Sequence, residues 1–286
     1  MSNRLQTLEL PQRARAYRLA TRRGEFAVVD HGTAERGTAL LLPGFTGSKE
    51  DFLALLEPLA DAGFRVVAVD GRGQHESDGP RDELAYGQRE LARDVLAQAA
   101  ALAIEGPLHL VGHSLGGLIA RAAVLLDADA FASLTLMSSG PAAVAPSQQN
   151  RLRMLLGAFP TMSMEQIWAA MAQLDPPEAG SVTDSPALRA FLRRRWLATV
   201  PEQLSATARQ LLAEPDRVPE LAAVPLPKHV LSGEVDYAWP VELLDDMARR
   251  LDAHRTVIPG AGHSPNAEQP ERTAEALAAF WRGLDG

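Results

Sequence analysis

The residues Gly112-His113-Ser114-Leu115-Gly116 place a serine in the pattern G-x-S-x-G. The apolar run 108–111 before the pattern predicts a buried strand, and residues 115–126 after it predict a helix. A serine in such a strand-to-helix turn has its hydroxyl raised above the sheet edge, and the glycines let strand and helix pass closely. A chance glycine-rich turn is the alternative, but this context predicts that Ser114 is a nucleophile.

A nucleophilic serine needs a base, and histidine commonly provides it. His263 follows the last predicted strand in the loop Gly260-Ala261-Gly262-His263, at the sheet edge where Ser114 is expected. His75 lies in a loop at the same edge of the sheet and is the rival candidate for the base. The side chain of His113 should point away from Ser114 on a tight turn. We therefore predict His263 as the base; the other histidines lie at the opening hairpin or in predicted strands, namely His31, His109, His229 and His254.

The base needs an acid that holds its tautomer and stabilises its charged form. After the predicted strand 229–231 the sequence reads Ser232-Gly233-Glu234-Val235-Asp236, which offers two carboxylates. Asp236 is shorter and lies deeper in the loop, so we prefer it to Glu234. The resulting chain order of serine, acid and histidine is the one known for a strand-to-helix serine turn.

Hydrolysis through a serine also needs donors for the negatively charged oxygen of the intermediate. The backbone N–H of Leu115, directly after the serine, is the first candidate. The loop Pro43-Gly44-Phe45-Thr46-Gly47 follows the predicted strand 39–42, and its glycines allow the backbone to approach a substrate. The N–H of Phe45 is the second candidate.

The elements that position these residues alternate between strand and helix. Segments 16–21 and 25–30 predict an antiparallel hairpin, and short apolar strands then alternate with amphipathic helices. Such alternation predicts an α/β fold with a mostly parallel sheet covered by helices on both faces. The further strands are predicted at 64–69, 134–137 and 255–258, and the further helices at 49–62, 86–104, 241–251 and 267–284.

Residues 141–226, here called the helical insertion, interrupt this alternation. They contain helical patterns at 148–158, 164–174, 187–197 and 201–212, separated by proline-rich joints such as Asp175-Pro176-Pro177. We therefore predict a core formed by residues 1–140 and 227–286, with a helical cap of residues 141–226 over the carboxyl edge of the sheet.

Apolar side chains of the helical insertion either line an acyl pocket or hold the cap together, and the sequence does not separate the two. The pocket candidates are Met162, Trp168, Met171 and, outside the insertion, Trp239. Arg193, Arg194 and Arg195 form a basic run that we interpret as a solvated helix face. Their alternative role is to bind an acidic substrate.

The composition and the remaining sequence limit which partners, cofactors and cellular location we expect. The net charge of −8 disfavours nucleic acid as a partner, and the lack of cysteine excludes disulfides and thiolate chemistry. The N-terminal residues have no apolar secretory segment, and no apolar run is long enough to span a membrane, so we expect a cytoplasmic protein. No histidine pair has metal-ligand spacing and no phosphate-binding loop is complete, so we expect neither metal nor cofactor.

Taken together, the chain resembles the α/β-hydrolase superfamily, and within it the capped esterases, lipases and C–C hydrolases. The resemblance covers nearly the whole chain apart from the insertion and is carried by LLLPGFTGSKEDF, VVAVDGRGQHESDGP, LVGHSLGG, VLSGEVDYAWP and IPGAGHSPNAEQP. It implies an eight-stranded sheet, a triad of Ser114, Asp236 and His263, and oxyanion donors at Phe45 and Leu115. The expected partner is a small molecule with an ester or related carbonyl group.

Two positions depart from the pattern of that superfamily. Pro43 stands where its members usually have histidine, and the loop Arg72-Gly73-Gln74-His75-Glu76-Ser77 departs from Arg-Gly-x-Gly-x-Ser. Neither departure removes a catalytic group. The leading hypothesis is ester hydrolysis through an acyl-enzyme, with thioester, lactone or C–C bond hydrolysis as alternatives. A ligand-binding protein without activity remains a further hypothesis.

Overall fold

One mixed sheet forms the centre of the molecule. A computed structural model describes residues 7–102, 104, 106–174 and 185–284. Within this part of the chain the strands are β1 (Arg15–Thr21), β2 (Gly24–His31), β3 (Thr38–Leu42), β4 (Arg65–Val69), β5 (Leu108–His113), β6 (Ser133–Met137), β7 (Lys228–Gly233) and β8 (His254–Ile258). Their order is β1-β2-β4-β3-β5-β6-β7-β8. β1 and β2 pair antiparallel, as do β2 and β4, and all other pairs are parallel.

Helices form between and after these strands. They are α1 (Leu53–Asp61), α2 (Gln88–Ala101), α3 (Leu115–Leu126), α4 (Pro146–Ala158), α5 (Met164–Leu174), α6 (Pro186–Ala198), α7 (Pro201–Ala213), α8 (Val218–Ala222), α9 (Val241–Leu251), α10 (Pro265–Glu268) and α11 (Pro270–Arg282). Among the described residues, none of the helices is long and apolar enough to cross a bilayer.

The central strands are apolar on both sides because helices cover both faces of the sheet. Along β3, Leu40 and Leu42 belong to one apolar cluster, whereas Ala39 and Leu41 belong to the other. This division follows from the pleat, which directs successive side chains to opposite faces. Helices α2, α3 and α9 contribute to the first cluster, and α1 and α11 contribute to the second. The expected α/β sheet of eight strands is therefore confirmed.

The ends of some helices differ from the sequence-based prediction. The segment 49–62, predicted as one helix, begins with a 3-10 turn at Lys49–Phe52. The last predicted helix, 267–284, is two helices, α10 and α11, which meet before Pro270 because proline lacks an N–H for a continuous helix. The short helix α8 was not predicted.

The helical insertion runs from the end of β6 to the start of β7, and its described residues form α4 to α8. An apolar cluster around Ile167, Trp196 and Leu204 joins its helices and includes Phe45 of the core. The proline-rich joint predicted at 175–177 lies outside the described residues. The division of the chain into a core and a cap stays a prediction.

Candidate active site

Ser114 lies in the sharp turn between β5, which ends at His113, and α3, which begins at Leu115. Its backbone angles are φ 55° and ψ −119°, a combination that residues other than glycine rarely adopt. A Cβ on Gly112 would collide with the backbone of Gly116, so this close approach requires glycine at position 112. Backbone strain of this kind costs on the order of 1–3 kcal/mol and persists only when the surrounding structure holds it.

Side chains from three separate loops form one series of hydrogen bonds at this turn. The Nε2 atom of His263 lies 3.1 Å from the hydroxyl oxygen of Ser114. The Nδ1 atom of His263 lies 2.9 Å from each carboxylate oxygen of Asp236. Because β5, β7 and β8 run parallel, the loops that follow them meet at the same edge of the sheet. The structure brings the three predicted residues into the arrangement that can activate a serine, while their catalytic role stays a prediction.

The carboxylate of Asp236 has a fixed orientation. Its side chain is fully buried, and its Oδ1 atom accepts hydrogen bonds from the backbone N–H groups of Ala238 and Trp239, at 2.7 and 3.1 Å. Two donors from its own loop and one from His263 leave this carboxylate little freedom to turn. Asp236 therefore holds the imidazole in the tautomer with its proton on Nδ1.

Glu234, the other carboxylate of the loop, is exposed and occupied elsewhere. Its Oε2 atom accepts the backbone N–H of Gly260 at 2.8 Å. This contact ties the loop after β7 to the loop that carries His263. The structure thus places Asp236, and not Glu234, against the histidine.

His113 contributes a contact that the sequence analysis did not anticipate. Its Nε2 atom donates a hydrogen bond to the backbone carbonyl of His263 at 2.8 Å. Burial, together with the nearby His263, lowers the pKa of His113 to about 4, so the ring is neutral near pH 7. A neutral imidazole can donate from Nε2 and leave Nδ1 unprotonated. Adjacency to a nucleophilic serine is the signal that could have drawn attention to His113.

The rival base, His75, is engaged on the side of the helical insertion. Its backbone N–H donates to the Thr199 hydroxyl at 3.3 Å, and its ring packs edge-on against Phe191. Burial lowers the pKa of His75. Its φ of 43° suits the glycine that the superfamily pattern has at this position.

Within the described residues, neither of the two predicted oxyanion donors has a hydrogen-bond acceptor. Leu115 is the first residue of α3, where a backbone N–H has no acceptor within the helix. In the described part of the chain, the N–H of Phe45 donates to no other group. The Phe45 loop passes close to the serine, since a Cβ built on Gly44 would lie 3.3 Å from the Ser114 Cβ. Both groups are therefore available to a ligand at Ser114.

Ser114 and His263 open into a cavity of about 490 Å³ between the core and the helical insertion. The insertion contributes mainly apolar side chains, among them Leu152, Leu155, Met162, Ile167 and Met171. A mostly apolar cavity with a few polar groups at one end is typical of a small-molecule site.

Two of the four predicted pocket residues lie elsewhere. Trp239 is fully buried behind His263, and its indole N–H donates to the Ala142 carbonyl at 2.8 Å. Trp168 packs between two apolar clusters, one with Phe191 and the other with Trp196, and does not line the cavity. Large aromatic side chains fill these packing positions, and the indole of Trp239 finds a hydrogen-bond acceptor there. Met162 and Met171 line the cavity as expected.

The basic run also differs from its interpretation as a solvated face. Arg193 and Arg194 are exposed, but Arg195 is only 2% exposed and donates to Asp51 at 2.6 Å and to the Ser48 hydroxyl at 3.2 Å. The interpretation is wrong for Arg195 because α6 turns this side chain toward the core. Its buried partner is distant in sequence, so no local signal could have revealed the pair.

A different arginine borders the cavity. Arg151 on α4 lines it, and no carboxylate among the described residues pairs with its guanidinium. Arg193, in contrast, pairs with Glu165 at 2.6 Å. Among the described residues, the arginine at the cavity is therefore Arg151, and the run of three arginines does not line it.

One group of side chains could be considered as metal ligands. Among the described residues, Glu50, His75 and Glu76 bring ligand atoms within 4.8 Å of one another. The ammonium group of Lys49, however, lies 2.8 Å from both glutamates and 3.0 Å from Asp70. A dication would face this buried positive charge, so the geometry favours an ion-pair network that joins two loops of the core.

Known proteins are similar to this chain over most of its length. The family model described as "Alpha/beta hydrolase family" matches residues 39–276. The chain is 31% identical over 214 residues to a 2-hydroxy-6-oxononadienedioate/2-hydroxy-6-oxononatrienedioate hydrolase of Cupriavidus pinatubonensis. The matched region covers 70% of each protein. It is 25% identical to 3-oxoadipate enol-lactonase 1 of Acinetobacter baylyi, with 93% of this chain and 97% of the relative covered.

A solved structure shows the same similarity in three dimensions. A thermophilic esterase from Thermogutta terrifontis, solved with malate bound, has a TM-score of 0.76 and 28% sequence identity, and the match covers 95% of this chain and 99% of that one. The family model matches far more than half of the chain. The protein therefore belongs to the alpha/beta hydrolase family.

Proposed function

We propose that the protein hydrolyses a carboxylic ester of a small molecule through a covalent acyl-enzyme, with Ser114, His263 and Asp236 as its triad. The observation that carries this proposal is the continuous series of hydrogen bonds from Asp236 through His263 to Ser114, at 2.9 and 3.1 Å. The series ends at the cavity, where a carbonyl carbon can reach the serine. No other described histidine is hydrogen-bonded to Ser114.

Acylation begins when the Ser114 oxygen attacks the ester carbonyl and its proton passes to Nε2 of His263. The π electrons of the carbonyl move to its oxygen. This oxygen becomes negatively charged and accepts hydrogen bonds from the N–H groups of Phe45 and Leu115. His263 then gives its proton to the leaving alkoxide. The C–O bond of the ester breaks, the alcohol departs, and the acyl group remains on Ser114.

Deacylation repeats these steps with water. His263 takes a proton from water, and the hydroxide attacks the acyl carbon. The charged oxygen of the resulting tetrahedral intermediate accepts hydrogen bonds from the same two N–H groups. Collapse of the intermediate returns the proton to Ser114 and releases the carboxylic acid. Asp236 stays ionised throughout and stabilises the positive charge that His263 carries in each half-reaction.

The helical insertion supplies the substrate specificity in this proposal. We propose that residues 141–226 act as a cap over a core of residues 1–140 and 227–286. Its apolar side chains at the cavity suit an acyl or alkyl chain, since each buried methylene contributes about 0.8 kcal/mol. Phe45 carries both an oxyanion donor and an apolar ring that packs with the insertion. This residue therefore acts in substrate binding and in catalysis in the proposed mechanism.

Lactone hydrolysis is the second candidate, because a lactone is an internal ester and the same steps would open it. The enol-lactonase relative of Acinetobacter baylyi, matched over 93% of this chain, supports its inclusion. Hydrolysis of a C–C bond is a further alternative. The 2-hydroxy-6-oxononadienedioate/2-hydroxy-6-oxononatrienedioate hydrolase of Cupriavidus pinatubonensis supports its inclusion.

The proposal is tested with 4-nitrophenyl esters and a fluorophosphonate probe. Wild-type protein should release a burst of nitrophenol equal to the enzyme concentration and should be labelled covalently. Ser114→Ala should lose about 10⁴–10⁶-fold in kcat and should not be labelled. Ser139→Ala, which removes a buried hydroxyl without a hydrogen-bond partner, is the matched control and should retain both properties. Turnover by Ser114→Ala near the wild-type rate would exclude Ser114 as the nucleophile.

A further inference from the structure

We propose that Gln74 is a positioning residue that sets the direction of the Phe45 N–H, and thereby the strength of the oxyanion hole. This inference depends on the proposed function, since it concerns a donor of that same site. The sequence analysis noted Gln74 only as part of a loop that departs from the superfamily pattern. The structure gives its side chain a specific task.

The side-chain amide of Gln74 bridges two loops of the core. Its Nε2 atom donates to the carbonyl oxygen of Gly44 at 2.9 Å and contacts that of Phe45 at 3.4 Å. Its Oε1 atom accepts the backbone N–H of Gly71 at 3.1 Å. The side chain is 5% exposed, so these hydrogen bonds are shielded from water. Both ends of the amide are therefore held.

The backbone of Gln74 is equally fixed. Its N–H donates to the Gly71 carbonyl at 2.9 Å, and its own carbonyl accepts the N–H of Ser77 at 2.8 Å. The Ser77 hydroxyl in turn donates to the Asp70 carbonyl at 2.9 Å. A side chain that extends from such a turn can serve as a rigid support for the neighbouring loop.

The contact with Gly44 determines where the Phe45 N–H points. The Gly44 carbonyl and the Phe45 N–H belong to one peptide group, which is planar and trans, so the two point in opposite directions. Gln74 and the N–H of Gly47, at 3.1 Å, both hold the carbonyl. The N–H on the opposite side of the peptide is left without an acceptor in the described structure.

This peptide needs such a support because of Gly44. Glycine has no Cβ, and its backbone turns more easily than that of any other residue. A larger residue would be crowded, since a Cβ at position 44 would lie 3.3 Å from both the His113 ring and the Ser114 Cβ. The close approach to Ser114 thus favours glycine, and Gln74 restricts the rotation that glycine would otherwise permit.

The helical insertion contacts the same support. The N–H of Val200, between α6 and α7, donates to the Gly73 carbonyl at 2.8 Å, directly before Gln74. Two hydrogen bonds therefore connect the insertion to the peptide of the Phe45 N–H. One runs from Val200 to Gly73, and the other from the side chain of Gln74 to Gly44. A shift of the insertion would reach the oxyanion loop through Gln74.

The test compares Gln74→Glu and Gln74→Met with wild-type protein. Gln74→Glu keeps an acceptor for Gly71 but replaces the amide donor with a carboxylate oxygen that faces two carbonyls. Gln74→Met removes both polar groups at similar volume. Gln203→Met is the matched control, because Gln203 is also buried and packs beside Gly73 but makes no hydrogen bond to the oxyanion loop.

We expect both Gln74 variants to lose about 10–100-fold in kcat on a short-chain 4-nitrophenyl ester, with KM changed less than about twofold. Outright loss of one oxyanion donor costs about 10²–10³-fold in kcat, and a misdirected donor should cost somewhat less. A residue that only supports packing would change melting temperature, KM and kcat together, so the separation of kcat from KM is the informative measurement. If Gln74→Met does not fold, Gln74→Glu decides the result.

A trifluoromethyl ketone provides a second readout. Addition of the Ser114 oxygen to this ketone forms a hemiketal, moves the serine proton to His263 and leaves a negatively charged oxygen in the oxyanion hole. Its inhibition constant should rise in the Gln74 variants by about the same factor as kcat/KM falls. The inhibition constant of the Gln203→Met control should stay near the wild-type value.

Variants of Gln74 whose kcat and inhibition constant match those of Gln203→Met would overturn this inference. The result is separable from the proposed function. Turnover by Ser114→Ala would defeat the proposed function, whereas loss of turnover in Ser114→Ala beside fully active Gln74 variants would defeat only the role of Gln74.

Discussion

The carboxyl edge of the sheet and the helical insertion hold their functional side chains in different ways. At the edge, backbone groups restrain the residues of the proposed triad: two N–H groups orient Asp236, and a strained turn presents Ser114. In the insertion, apolar side chains on separate helices line the cavity and depend on packing for their positions. In the proposed function, the edge therefore sets the reaction, whereas the insertion sets the shape that a substrate must have.

This difference implies different responses to substitution. A change at the edge removes a group that takes part in the transition state and should lower kcat strongly. A change in the insertion alters how much of a substrate is buried, which is worth much less free energy per atom. Contacts between the two regions should mainly affect stability. Each expectation can be measured.

After Ser114 itself, the largest effect is expected for Asp236, the acid of the proposed triad. Asp236→Asn should lower kcat by about 10⁴-fold, because the amide no longer holds the correct tautomer of His263. Glu234→Gln is the matched control and should lower kcat by far less, since the Glu234 side chain accepts the backbone N–H of Gly260 and does not contact His263. Steady-state kinetics on one ester would decide, and a larger loss in Glu234→Gln would reverse the assignment.

The second effect concerns the buried ion pair between the two regions. Arg195→Met leaves Asp51 buried without its cation, which should lower the free energy of unfolding by about 3–5 kcal/mol. Arg193→Met removes an exposed pair with Glu165 and should cost about 0–1 kcal/mol. Burial raises the pKa of Asp51, so urea unfolding is compared at pH 8 to favour its ionised form. Equal losses in the two variants would show that Arg195 does not link the regions energetically.

A smaller effect follows from the buried histidine at the edge. The pKa of His113 is about 4 in the folded chain and near 6.5 when unfolded, so protonation favours unfolding as pH falls between these values. His113→Gln can still donate to the His263 carbonyl but does not titrate. From pH 7 to pH 5, its free energy of unfolding should improve relative to wild type by about 1–2 kcal/mol. A constant difference across this range would contradict the buried, neutral state of His113.

The smallest effect is expected on kcat/KM when one carbon is added to the substrate chain. In a series of straight-chain esters, kcat/KM should rise about fourfold for each added methylene until the cavity is full. Met171→Ala, which enlarges the cavity, should move the preferred chain length upward. Met164→Ala is the matched control, because Met164 belongs to the insertion but does not line the cavity.

The same series with a terminal carboxylate tests the role of Arg151. A flat profile for the straight-chain esters together with a preference for the carboxylates would contradict an apolar binding site. In that case Arg151→Met should remove the preference, since the guanidinium at the cavity has no carboxylate partner among the described residues. The substrate would then be a charged metabolite.

The sequence predicted best where neighbouring residues determine the structure. The strand, turn and helix around Ser114 follow from an apolar run, two glycines and an amphipathic segment, all local features. Arg195 was misinterpreted because its partner Asp51 lies 144 residues away. The role of Gln74 was missed for a similar reason, since its amide reaches a loop 30 residues earlier. Trp168 and Trp239 were misplaced because composition cannot tell a cavity wall from the packing behind it.

In the described part of the chain, the sheet leaves two strands with an unpaired side, β1 and β8, and both carry arginine. Arg15 and Arg18 lie on β1, and Arg255 lies on β8, each with an acidic residue of the same chain within 4 Å. Charged side chains on such strands discourage edge-to-edge association with another chain. The open sheet that places the loops of Ser114, Asp236 and His263 side by side thus carries, at both ends, charged side chains that disfavour aggregation.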